Sequence, residues 1–518
     1  MIRRVLPVVL MTLSGFLLLP STVLAQLAPP VSNGRTRPVQ LPLSGSTQTG
    51  SVTAGQATVP SASSASVSTL NSSIQIQGPF QGSTAVGVMT NEPLPLSLDE
   101  AIRLGLSYNL GVIGALQTER NARGQRLSAL AELLPDVNGI FTASDEQLSL
   151  ATSGLQSAKR ISTFGFPKVL GPFNFFESGA ILSQSVLDLT AVQNYRSSKE
   201  VAIATKHSVR DSRDLVILGV GASYLQVVAA AARVNSARAQ VASAQAVYDQ
   251  AVTQNQAGTN ARIDVNRSQV EFQTQRLRLI SLETDLATQK MILGRLIGLP
   301  LGQEFALTTP MEYRPAPIPP LADMLEGAFA NRADLKAAEA QVRAAVHARK
   351  AAEAQKSPAV KINGNYLVAG INPAQSNGVF AISGTVDFPI WRSGRIQADI
   401  AQADAVLSQR QAEYEDIRGR IDFEVRNAFL QLNAATQQVM VAESNRALAQ
   451  DTLRQARDRF GAGVADTVEV VQAQESVAAA EQDYIAGLYS HYLARLSLAR
   501  ATGDAERGIA ALLRPNGP

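Results

Sequence analysis

The chain has 518 residues, 45 % of them hydrophobic and 17 % charged, with a net charge of +3 and a calculated pI near 9.1. It contains no Cys, which excludes disulfides and thiolate metal sites. Its three His (His207, His347 and His491) stand far apart without metal-ligand spacing, and so small a positive excess without a basic tract is no argument for nucleic acid.

The chain opens with Arg3 and Arg4, an apolar run, and then Val23-Leu24-Ala25. This pattern reads as a secretory signal peptide over 1–25, cleaved after Ala25. No Cys follows it, so no lipid attachment is expected there. No later run of about 18 apolar residues is expected to cross a membrane as a helix. Residues 26–95 are dominated by Ser, Thr, Gly and Gln, and 41–90 carry no charge. Such a segment buries too little apolar area to offset its ordering entropy, so a disordered leader is expected, with local pairing around SIQIQ (73–77).

The remainder is a tandem duplication. "QAGTNARIDVNRSQV" (256–270) and "GAGVADTVEVVQAQE" (461–475) share a plan, and an offset of 205 aligns Gly258 with Gly463. The same offset carries SYLQV (223–227) onto AFLQL (428–432) and LGRLIG (293–298) onto LARATG (498–503). Upstream, LGLSYNL (104–110) resembles EGAFANR (326–332), and Pro135 answers Pro358. Two repeats are therefore read over 96–305 and 321–505, joined by a Pro-rich linker over 306–320 and followed by a tail over 506–518.

Each repeat opens with a helix, about 98–133 and 321–356. A β-hairpin region follows, 136–189 and 358–389. A long helix comes next, about 190–256 and 394–460, then a Gly-containing turn at 256–262 and 460–467, then a helix at about 262–297 and 467–502. No Pro occurs from 173 to 299 or from 390 to 514, and both stretches are dense in good helix formers. A helix of about 65 residues spans roughly 100 Å, longer than a globular domain needs.

The strands discriminate most. In AVKINGNYLVA, Val360, Ile362, Tyr366 and Val368 alternate with Lys361, Asn363 and Asn365; in VFAISGTVDF, Phe380, Ile382, Val386 and Phe388 alternate with Ala381, Ser383 and Asp387. Apolar-out, polar-in runs of this length suit transmembrane β-barrel strands. The strands expected at 136–147 and 178–189 alternate less cleanly. A soluble hairpin is the competing reading, but on a coiled coil it has nowhere to bury a face. Four strands cannot close a barrel, and an open edge cannot sit in lipid. The expected fold is therefore an α+β membrane protein: a long helical barrel plus a β-barrel shared among three chains, four strands from each.

This ordered set, together with the DFPIWRSGR junction (387–395), resembles the TolC family of outer-membrane efflux proteins over about 96–505. The resemblance implies a homotrimer in outer-membrane lipid with a periplasmic helical tunnel. The expected role is a passive exit duct of a tripartite efflux or type I secretion system. The expected partners are a periplasmic adaptor (membrane fusion) protein and an inner-membrane pump or ABC transporter, with no cofactor. It implies that the turns at Gly258, Gly461 and Gly463 dock the adaptor, glycine permitting the reversal. In the family, an acid of the first turn locks onto a Tyr and an Arg of the second. Asp264 matches the acid, but the other positions are Phe460 and Ala465, leaving Arg262 with Asp466 as the expected replacement pair. Two acids three apart in the family correspond to Glu469 and Gln472, placed to ring the pore constriction with one carboxylate per chain. Trp391, the only Trp, is expected either at the membrane–water boundary or in a buried junction. The Phe-rich segment 163–176 is expected as an extracellular loop. No P-loop, G-x-S-x-G or H-E-x-x-H occurs, so no enzyme is expected. The competing function is a periplasmic coiled-coil spacer without a pore.

Overall fold

The structure is a computed structural model that describes residues 36–44, 51–59, 69–85, 89–149, 169–258, 261–309, 313, 318–462 and 464–506. The expected signal peptide lies outside them. The described residues fall into two units. Among them, one comprises those within 130–192 and 354–393 together with 36–38; the other comprises those within 39–129, 193–353 and 394–506.

The first unit is a four-stranded antiparallel sheet. Its strands are β4 (Asp136–Ser149), β5 (Val169–Leu187), β7 (Ala359–Gly370) and β8 (Ser376–Asp387), in the order β4-β5-β7-β8. The two hairpins, one from each repeat, join through β5 and β7, where the Ser183 hydroxyl donates to Asn363 Oδ1 at 3.1 Å. Strand β5 begins well before the expected 178. Residues 169–176 are thus strand rather than loop, because they pair in register with β4 from Ser149↔Val169 to Ala143↔Phe176.

The second unit holds the helices and four strands. Here stand β1 (Val52–Val59), β2 (Thr69–Ile76), β3 (Leu94–Leu96) and β6 (Phe305–Leu307). The helices are α1 (Leu98–Tyr108), α2 (Leu110–Ala131), α3 (Leu189–Gln256), α4 (Arg262–Ile297), α5 (Leu321–Asn331), α6 (Ala333–Ala354), α7 (Arg395–Gly461) and α8 (Thr467–Ala501). At 68 and 67 residues, α3 and α7 are each about 100 Å long.

The opening helix of each repeat is broken where one continuous helix was expected. The breaks fall at Asn109 and Arg332, which occupy matching places. Both are buried, and each donates from its side chain to a helix-terminal carbonyl 3.4 Å away, Asn109 to Leu296 and Arg332 to Ala501. Leu296 and Ala501 are 205 positions apart, as are Gly298 and Gly503, which end α4 and α8 at φ +82° and +76°. The duplication seen in sequence is thus preserved in this hydrogen bond and in the glycine that follows it. The chemistry differs: Arg332 is held by Asp334 at 2.6 Å and by Glu424, whereas Asn109 is neutral.

The leader departs from the expected disorder, although the pairing expected around SIQIQ is present in β2 (Thr69–Ile76). Strands β1 and β2 pair antiparallel, and Val52, Ile74 and Ile76 join the first repeat's core with Val216, Val220 and Leu296. They pack over Gly219 of α3: a Cβ there would stand in ordinary van der Waals contact, 3.5–3.6 Å from Ile76 and Val52. Phe80, 3 % exposed, closes over Asn109 and Gly111. Average composition hides these few well-placed side chains, whose burial supplies the missing apolar area. Likewise β6, at the head of the expected linker, pairs parallel with β3. Finally, α3 does contain an 18-residue stretch of mean hydropathy 2.0, contrary to expectation; 72 % of it is buried, so it is the core helix of this unit.

Candidate functional site

The two helix-to-helix turns were the expected docking and gating elements. In the first, the Gly258 N–H donates to the Asn255 carbonyl at 3.0 Å. Gly258 has φ +76°, and no atom lies within 4 Å of where a Cβ would stand. Glycine is therefore demanded by the backbone and not by space. Arg262 opens α4, and Asp264 in its first turn pairs with Arg267 at 3.5 Å.

The second turn is built differently. The N–H groups of Ala462 and Val464 donate to the carbonyls of Asp458 and Arg459, both at 3.0 Å. Asp466 caps α8, accepting from the Glu469 N–H at 3.1 Å, which satisfies one orphan donor of the helix start. The Glu469 carboxylate pairs with Arg459 Nε at 3.0 Å, while Gln472, one turn on, is exposed and Ala465 half-buried.

Several expectations change here. Gly461 is the last residue of α7 and has no positive φ, so only Gly258 uses that freedom; Gly463 lies outside the described residues. Phe460 is 4 % exposed and packs with Val247, Val470 and Ala473, so it joins α3 to α7 and α8 instead of facing a lock. Arg262 and Asp466 form no ion pair among the described residues; Asp466 is occupied by its capping role. The Glu469–Arg459 pair was missed, although a ten-residue separation across a short turn was its signal.

Beside the second turn a groove of about 940 Å³ lies between α3, α4, α7 and α8. Its lining mixes apolar side chains such as Val247, Leu453 and Phe460 with polar ones. Ser243 accepts from Gln474 at 2.7 Å and from Arg457. The carbonyl oxygens of Gln474 and Gln275 are buried there without a hydrogen-bond partner among the described residues. Polar atoms of this kind need water or an incoming donor.

The sheet is the second functional element. Register places Val137, Phe141, Phe176, Leu182, Tyr366, Phe380, Ile382 and Val386 on one face, and the Phe141 and Phe176 rings meet edge-on at 5.4 Å. This apolar face points to solvent in the single chain, with Phe380 and Ile382 77 % and 76 % exposed. The opposite face carries Asp136, Asn138, Thr142, Glu177, Lys361 and Asn363. Among the described residues, strands β4 and β8 each lack a partner on their outer edge. Trp391 is 82 % exposed just beyond β8, which removes the buried-junction reading.

Comparison with known proteins agrees with this geometry. The sequence profile of the outer membrane efflux protein family matches residues 324–504. The pyoverdine export outer membrane protein OpmQ of Pseudomonas aeruginosa is 25 % identical over 414 residues, covering 78 % of this chain and 85 % of its own. The outer membrane efflux protein BepC of Brucella suis is 24 % identical over 338 residues, 63 % of this chain and 71 % of its own. Among solved structures, the Campylobacter jejuni CmeC outer membrane channel superposes with a TM-score of 0.70 at 17 % identity, over 83 % of this chain and 92 % of that one. The chain thus resembles outer membrane efflux proteins in the sequence of its second repeat, and shares the fold of outer membrane channels across both repeats.

Proposed function

We propose that three copies of this chain form the outer-membrane exit duct of a tripartite machine that exports small molecules. The observation that carries this is the sheet: four strands, two unpaired edges and one exposed apolar face. Unpaired backbone groups cannot face hydrocarbon, so the edges must close against other copies, and three copies supply the twelve strands of a barrel wide enough to conduct. Two exposed apolar stripes support side-by-side assembly of the helices as well. One is Ile263, Val270, Leu277 and Met291 on α4; the other is Phe423, Leu430, Val441 and Leu448 on α7. A helical spacer without a pore gives the sheet's apolar face no role.

The turns at Gly258 and after Gly461 are the surfaces offered to a periplasmic adaptor, and through it to an inner-membrane pump. Small molecules are favoured over secreted proteins because the relative OpmQ is named for pyoverdine export. Mass measurement in mild detergent tests the assembly: a trimer is expected, and a monodisperse monomer that conducts ions would overturn it. Crosslinkers placed at positions 258 and 464 should recover the adaptor.

The constriction is assigned to Glu469, one carboxylate per chain, giving a cation-selective channel. Arg459, at 3.0 Å, neutralises part of that charge. Planar-bilayer recordings should therefore show weaker block by divalent cations in Glu469→Gln and stronger block in Arg459→Ala. Unchanged block in both would remove Glu469 from the pore lining.

A further inference from the structure

Strand β5 pairs with β7 only from Phe176↔Gly370 downwards, yet it pairs with β4 up to Val169↔Ser149. Among the described residues, the β4–β5 hairpin therefore stands beyond the β7–β8 hairpin by residues 169–175, about 20 Å of ribbon. On this ribbon Phe173 and Phe175 share the face of Glu177 and Asn363, opposite the apolar face of Phe141 and Phe176. Phe173 is paired across the strands with Glu146, and Phe175 with Ser144. Residues so opposed carry Cβ atoms about 5 Å apart. The Ser144 hydroxyl donates to Glu146 Oε1 at 3.1 Å, holding the carboxylate beside the rings.

These rings are not part of the lipid-facing belt. They sit on the polar side of the sheet, Phe173 is 42 % exposed, and the ring-on-ring contact belongs to Phe141 and Phe176 instead. An aromatic face next to a carboxylate is the chemistry that recognises an organic cation: the ring quadrupole and the negative charge attract the same positive centre, and the ring adds apolar contact.

We infer that Phe173 and Phe175, with Glu146 and Glu177, form a binding girdle for bulky organic cations at the outer rim of the duct, the last contact before release. This rests on the three-chain duct, in which the polar sheet face lines the lumen and each chain contributes one projecting ribbon.

The test uses the assembled wild-type channel in planar bilayers with methyltriphenylphosphonium as probe and neutral triphenylphosphine oxide as its counterpart. Reversible block by the cation and none by the oxide is expected; equal block by both would overturn the inference without any variant. Phe173→Leu and Phe175→Leu keep the apolar bulk but remove the quadrupole, and each should weaken cation block about two- to fivefold. Phe→Tyr at the same positions should retain it, and Glu146→Gln should weaken it. Block unchanged in the double Leu variant, in a channel that still conducts, would sink the girdle alone. A wild-type assembly that conducts nothing would sink the duct, and the girdle with it.

Discussion

His491 is 4 % exposed, set between the rings of Tyr313 and Tyr492, with its Nδ1 3.4 Å from the Thr436 hydroxyl. Burial first, and Arg495 second, push its imidazole down to about 4 from an ordinary 6.5. The folded protein thus resists a proton that the unfolded chain accepts. Stability from this residue is whole above pH 6.5 and is lost as pH falls from there towards 4, by up to about 3 kcal/mol per chain. Urea unfolding in detergent at pH 7 and pH 4.5 should show a smaller acid loss in His491→Gln than in the wild type; equal losses would mean that His491 does not set it. The buried Arg332 acts in the same direction over a lower pH range. Its guanidinium holds the Asp334 carboxyl at about 2 despite burial. That pair therefore stabilises above the usual carboxylate range and fails only below it. Arg332→Ala removes the closest partner of Asp334 and Glu424, leaving Arg420 at 3.8 Å from each, and should cost about 3 kcal/mol by the same unfolding measurement. Neither residue announces itself in sequence: one His among three, and one Arg among many, gain their roles only from what packs around them.

At the scale of elements, the two turns and the sheet make separate demands. Gly258 has φ +76°, so Gly258→Ala should cost about 1–2 kcal/mol, whereas Gly461→Ala, within helical backbone, should be neutral or slightly stabilising. Thermal melts distinguish these, and equal effects would contradict the turn geometry. On β8, Ile382 and Ser383 are neighbours on opposite faces. Ile382→Lys should hinder insertion by about 2–4 kcal/mol near the bilayer centre, while Ser383→Lys should be tolerated. Refolding into lipid vesicles, read by heat-shifted gel migration, decides; similar losses would mean that the apolar face is not the lipid face. Long helices and alternating strands were legible because periodicity is averaged over many residues, so α3, α4, α7 and α8 fall within a residue or two of expectation. Beyond the pairing around SIQIQ the leader was not, because the packing of Val52 and Ile76 against α3 near Gly219 depends on two distant segments meeting. The turn chemistry was half legible. Glycine marked where the chain reverses, but Asp466 was expected to pair with Arg262 in a replacement lock, and helix capping claims it instead.

For the whole molecule, the two repeats match in backbone and differ in side chains. The first turn reverses through a left-handed glycine and opens α4 with no side-chain cap, whereas the second is capped by Asp466 and tied by Arg459 to Glu469. The helix breaks differ too, a neutral Asn109 against an ion-paired Arg332. A closed ring of three such chains would look sixfold to an observer who sees only helices. Chemically it alternates, one kind of seat and then the other, around the circle. Six identical copies of any partner arranged on that ring would therefore occupy two inequivalent environments. Three of them would bind more tightly than the other three, and a titration of partner against ring should show two steps of equal size instead of one.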